Sequence, residues 1–163
     1  MDQKIIKRLD QLLTSVGIIL LTGITCVVFI GVITRYVFNN PVAWSEEVAI
    51  YLQVWLTFLG APLGILCASH IGISFLPDAL NGKGKFALLS FCYILLLVFA
   101  GFMFVKGSLL TAISWRDMAE TVDVPKGAIY LSFPVGSVLI VMAVLLDWSR
   151  SFRTLWVDQG EAK

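Results

Sequence analysis

Hydrophobic positions in this chain do not alternate with polar ones. They run in four blocks, at about 11–34, 48–69, 86–105 and 127–146, none of which contains Asp, Glu, Lys, Arg or His. A helix needs roughly 20 such residues to cross a bilayer. Blocks that are apolar all round fit helices surrounded by lipid rather than amphipathic helices or half-buried strands. The pattern predicts an all-α integral membrane protein, with one membrane domain over 1–163 and four transmembrane helices. Ahead of the first block, Ile5, Leu9, Leu12 and Leu13 share one face at helical spacing, and Lys4, Lys7 and Arg8 supply cations. That composition predicts a short interfacial N-terminal helix leading into the first span.

Polar residues mark the span ends. The stretch from Arg35 to Glu47 (RYVFNNPVAWSEE) holds a cation where the first span stops and two carboxylates where the second starts. Asn39-Asn40-Pro41 supplies the turn, with Asn suited to an N-cap and Pro41 to the first helical position. In the second span Gly60, Gly64 and Ala68 recur every four residues, a small-residue stripe that lets another helix approach. Pro62 lies between the glycines and predicts a kink, and the fourth span carries Pro134 and Gly136 in its middle. Helix-packing roles therefore fall to Gly60, Pro62, Gly64 and Pro134. The link from His70 to Lys85 contains Pro77 and the turn signature Asn81-Gly82-Lys83-Gly84. In the longer link from Lys106 to Lys126, Gly107–Trp115 can continue the third helix beyond the hydrocarbon.

Composition agrees. Hydrophobic residues make up 58% of the 163 and charged ones 14%, against about 25% charged in soluble domains. The net charge of +1, with cations scattered at span ends, gives no nucleic-acid footprint. Cys26, Cys67 and Cys92 sit in separate apolar blocks with no CxxC or metal spacing, so they read as small hydrophobes. The basic N-terminus resembles a signal sequence, but its apolar part is too long and no small-residue cleavage site follows, so it reads as a retained span. Lys4, Lys7, Arg8, Lys83, Lys85, Arg150 and Arg153 fall on the side of the termini, and Arg35, Lys106, Arg116 and Lys126 on the other. The excess predicts a multi-pass membrane protein with both termini cytoplasmic. Tyr36, Trp44 and Trp115 then form the outer aromatic belt.

Ionisable groups inside spans are the usual functional pointers, and the middles of all four blocks have none. A proton-coupled exporter lacks its mid-depth carboxylate, a bis-His haem anchor has only His70, and no HExxH, GxSxG or phosphate-binding loop is present. This argues against an enzyme, a metal site or a cofactor, and against a pore complete within one chain. Glu46 and Glu47 have two readings: carboxylates that complement the helix dipole, one of them paired with Arg35, or groups facing a partner or an ion path. Arg35 is either a span-end anchor or a ligand. Gln53, polar at depth, suits a hydrogen bond to another helix. Three functions remain in view: a non-catalytic transporter subunit, a stand-alone small oligomeric transporter or channel, and a membrane anchor for a redox enzyme.

With these residues assembled, the chain resembles the small membrane subunit, of DctQ type, of the tripartite ATP-independent periplasmic (TRAP) transporters. The resemblance rests on four spans in this length and on Arg35-Tyr36-Val37-Phe38 followed by Trp44-Ser45-Glu46-Glu47. It also rests on Gly60-Ala61, His70-Ile71, Pro125, Tyr130 and Pro134-Val135-Gly136. One departure is Cys67-Ala68-Ser69, where relatives often carry a basic residue. The resemblance implies a non-catalytic scaffold that braces a large membrane subunit holding the substrate and sodium sites. A periplasmic substrate-binding protein would deliver an organic acid: a dicarboxylate, a sugar acid or sialic acid. It further implies that Arg35, Trp44, Glu46 and Glu47 meet the partner subunit or help dock the binding protein.

Overall fold

The computed structural model describes the backbone of residues 2–68 and 82–161, and side chains over 7–66, 84 and 87–148. The expected turn at Pro77 and the span end at His70 lie outside the described residues. Five helices are described: α1 Asp2–Tyr36, α2 Ala43–Ala68, α3 Gly82–Ser114, α4 Lys126–Tyr130 and α5 Ser132–Glu161. Four segments are long and apolar enough to cross a membrane: Lys7–Tyr36, Ala43–Leu66, Ala87–Ser114 and Lys126–Trp148.

The interfacial lead-in and the first span form one unbroken helix, because nothing between Asp2 and Tyr36 interrupts the backbone ladder. Four hydroxyls along it back-bond to the preceding turn, among them Ser15 donating to the Gln11 carbonyl at 2.8 Å and Thr22 to that of Ile18 at 2.8 Å. Such back-bonding removes polar groups that lipid could not solvate. The turn differs from the expected one. Pro41 does not open α2, which starts at Ala43. Proline disfavours helical backbone in the residue before it, and the chain stays non-helical over 40–42. Asn39 does not cap α2 either. It takes a left-handed conformation, φ 47°, and so ends α1, a role asparagine tolerates better than most residues. The amide of Asn40 then returns to the Thr34 carbonyl at 3.0 Å.

The third helix runs on to Ser114, as Gly107–Trp115 predicted, and Gly82, Lys83 and Gly84 form its first turn. The fourth span is jointed at Leu131, between α4 and α5. Pro134 has no N–H to give the Tyr130 carbonyl, the partner it would have in an unbroken helix. Backbone bonds resume with Val135 donating to Leu131 at 3.2 Å.

The spans form an open row in the order α1, α2, α5, α3 rather than a closed bundle. α1 packs chiefly on α2, α2 on α5, and α5 on α3, while α4 lies against α3. The most apolar window of α5 is 39% buried inside the chain and that of α1 is 0%, which puts the core around α5. Tyr93, Ala100, Ile140 and Val144 are buried there, and Leu66 with Ala143 forms a second cluster. Where α2 crosses α5, a Cβ on Gly136 would lie 2.9 Å from the Phe58 carbonyl oxygen, so only glycine fits. The rings of Phe58 and Phe133 meet edge-on there, 4.5 Å between centroids, and Pro62 is fully buried. At the other extreme, Phe91, Phe99, Phe102 and Phe104 of α3 are exposed.

Candidate functional site

The start of α2 carries two adjacent carboxylates, Glu46 and Glu47, that take different partners. Glu47 crosses to the link between α3 and α4. Its Oε1 accepts the Glu120 amide at 2.9 Å and its Oε2 the Thr121 amide at 2.7 Å. The Thr121 hydroxyl and the Tyr51 hydroxyl donate to the same carboxylate. One side chain thus takes four donors, three of them from the link. The link is folded in its own right: the Ala119 amide meets the Val124 carbonyl at 2.9 Å and the Lys126 amide the Asp117 carbonyl at 2.8 Å. Its apolar residues Trp115, Met118 and Val124 nevertheless face outward.

Glu46 turns the other way and pairs with the Arg35 guanidinium at the end of α1, both side chains more than half exposed. Beside the pair, a cleft of about 190 Å³ lies between α1 and α2, lined also by Val28, Gly31, Val32, Tyr36 and Ser45. A Cβ on Gly31 would stand 2.6 Å from the Ser45 hydroxyl oxygen, so glycine lets the start of α2 sit close. Ser45, buried there, donates to the Val42 carbonyl at 2.9 Å. Trp44 is partly exposed beside this corner. The structure therefore brings Arg35, Trp44, Glu46 and Glu47 to one end of the row, and adds the link residues that Glu47 holds.

Farther along α2 the expected small-residue face is open. Glu46, Ile50, Gln53, Thr57, Ala61 and Gly64 are exposed and recur at helical spacing. A Cβ on Gly60 or Gly64 would meet nothing within 4 Å. The Gln53 amide, near the middle of the span, has no partner among the described residues. Pro134 belongs to the joint below α4 and Pro62 to the packed side of α2.

One polar group escaped the sequence reading. Asp147 stands just past the fourth apolar block, where span ends carry charge, yet it is only 5% exposed. The Tyr93 hydroxyl donates to its Oδ2 at 2.7 Å, and the Tyr93 ring stacks on Trp148 at 5.9 Å. Its Oδ1 has no hydrogen-bond partner among the described residues. The available signal was helical phase, since Asp147 follows Ile140 and Val144 at steps of four and three and so lies on the core face. No group of three or more potential metal ligands occurs among the described residues.

Residues 24–154 match the model of the DctQ component of the tripartite ATP-independent periplasmic transporters. A TRAP transporter small permease protein of Haemophilus influenzae is 27% identical over 157 residues, covering 95% of either chain. The sialic acid TRAP transporter small permease protein SiaQ of Vibrio cholerae is 28% identical over 145 residues, 89% of this chain and 82% of that one. The sialic acid TRAP transporter permease protein SiaT of Haemophilus influenzae is 26% identical over 155 residues, 93% of this chain but 24% of that protein. With its four spans and a match over most of its length, this chain belongs to the DctQ family, the small permease component of TRAP transporters.

Proposed function

We propose that the chain is the non-catalytic brace of a larger transport subunit, held in a bacterial inner membrane with both termini cytoplasmic. The open face of α2 carries this reading. An amide left without a partner in hydrocarbon is costly, and Gln53 stands on a stripe where Ala61, Gly60 and Gly64 leave room for another backbone. A helix of the large subunit seated on that stripe gives Gln53 a partner and fills the space. The match to a quarter of the longer permease SiaT supports the same association, since in that protein such a region is part of a larger polypeptide.

The open row encloses no polar path among the described residues, which favours the brace over a stand-alone oligomeric transporter or channel. Transport itself, driven by sodium and fed by a periplasmic binding protein with an organic acid, belongs in this reading to the large subunit. A dicarboxylate, a sugar acid and sialic acid are the candidate substrates. Trp44 and the link pinned by Glu47, with the Arg35–Glu46 pair at the rim, form a fixed face on which the binding protein docks.

The test is a mild-detergent purification of the tagged chain from its native membrane, with companions identified by mass. The expected result is a stoichiometric, larger multi-pass protein. A chain recovered alone, or only with copies of itself, would overturn the brace.

A further inference from the structure

We propose that the cleft between α1 and α2 is a phospholipid site selective for a zwitterionic, ethanolamine-type headgroup. The cleft has the layout of such a lipid. Val28 and Val32 offer apolar, half-exposed walls towards the bilayer, and the buried Ser45 closes the cleft against Gly31. At the mouth stand a cation and an anion side by side, Arg35 and Glu46. The exposed Tyr36 ring beside them suits headgroup depth, where amphipathic aromatics collect.

Charge complementarity chooses the headgroup. Arg35 uses its Nη2 on Glu46, and the rest of its donor fork has no partner among the described residues. That fork matches two phosphate oxygens. Glu46 engages Arg35 through Oε1, which leaves Oε2 to accept from a primary ammonium. A phosphatidylethanolamine presents both groups, phosphate and ammonium, a few bonds apart. A phosphatidylglycerol presents the phosphate but no cation, and brings its negative charge against Glu46. The proposal needs only that this hairpin ends at the membrane surface; it does not depend on the brace reading or on which solute is carried.

The experiment is native mass spectrometry of the full chain, purified with its companions, stripped of lipid and titrated with dioleoyl-phosphatidylethanolamine or dioleoyl-phosphatidylglycerol. One charge-assisted hydrogen bond more or less corresponds to about tenfold in affinity. The first adduct is therefore expected to favour the ethanolamine lipid about tenfold. Arg35→Gln should weaken that adduct by a similar factor, and Glu46→Gln should erase the preference between the two lipids. Val32→Phe fills the cleft without touching the ion pair, and should remove the adduct from a chain that still assembles. Equal retention of both lipids by the unaltered chain would overturn the proposal. So would an ethanolamine adduct untouched by Arg35→Gln and Val32→Phe. A photo-crosslinker at position 32 that captures a protein partner instead of lipid would also overturn it and assign the cleft to that partner.

Discussion

The two faces of α2 use the same kinds of residue under opposite conditions. On the packed face, Gly136 of α5 lies so close to Phe58 that no Cβ fits; on the open face, Gly60 and Gly64 meet nothing within 4 Å. A polar group in the packed region, Asp147, receives a hydroxyl from Tyr93, whereas Gln53 on the open face has no partner among the described residues. At the head of the helix, Glu47 turns to the link and takes four donors, while Glu46 stays on the exposed stripe with Arg35. The contrast teaches that this chain completes one side of α2 by itself and leaves the other to something outside it.

The largest expected effect is on the packed face. Gly136→Leu drives a branched side chain into the Phe58 backbone, and should cost about 3 kcal/mol, the upper end for an overpacked core. Thermal unfolding of the detergent-solubilised chain reads it. An unchanged midpoint would mean that α5 can withdraw from α2, and the packed face would lose its claim to be fixed.

Next comes the open face. Gly64→Leu should leave the stability of the isolated chain within about 0.5 kcal/mol, as for other exposed sites, but weaken association with the large subunit. Gln53→Leu should weaken it by up to about tenfold, the value of an interhelical amide hydrogen bond of about 1–2 kcal/mol. Quantitative co-purification of the two subunits separates the outcomes. If Gly64→Leu unfolded the isolated chain and left association intact, the assignment of the two faces would be reversed.

The four spans were legible because bilayer thickness imposes a length that any apolar block reveals, and Gln11–Thr34 or Phe86–Val105 needs no tertiary information. The pairing of Arg35 with a neighbouring carboxylate was legible too, since a short hairpin keeps span ends together. Packing was not. The spelled-out Gly60-xxx-Gly64 stripe is open and the lone Gly136 is the tight one, because closeness depends on which helix lies opposite, and the order of the row is written in no single span. The helix start at Ala43 rather than Pro41, and the joint at Leu131, follow from prolines that the sequence displays, but a proline allows either a first helical turn or a break, and sequence alone does not choose between them. Glu47 could not be told from Glu46 in sequence, since its partners Glu120 and Thr121 lie more than seventy residues away.

The Tyr93–Asp147 contact sharpens the polar half of the contrast. Tyr93→Phe keeps the ring stacked on Trp148 but takes the hydroxyl from a buried carboxylate. Loss of that donor should lower stability by about 1–3 kcal/mol, whereas Gln53→Leu should not lower the stability of the isolated chain at all. Chemical or thermal unfolding of the two variants side by side checks this. Equal losses would mean that Gln53 has a partner within the chain and that the open face is already closed.

The smallest effects distinguish the neighbouring carboxylates. Glu47→Ala removes the acceptor of two amides and two hydroxyls, so the link over 115–125 should lose its anchor while the spans stay packed. Hydrogen exchange reads it as faster exchange at the Glu120 and Thr121 amides, with little change in α2 or α5. Glu46→Ala leaves those amides protected, because among the described residues the link's hydrogen bonds go to Glu47 and Glu46 pairs with Arg35. Its ion pair with Arg35 is exposed, and such pairs contribute about 0–1 kcal/mol, so the unfolding midpoint should hardly move. A large loss of stability in Glu46→Ala would show that the hairpin is held by that pair rather than by the packing of Gly31 against Ser45. The exposed stripe of α2 would then have to begin below Glu46, at Ile50.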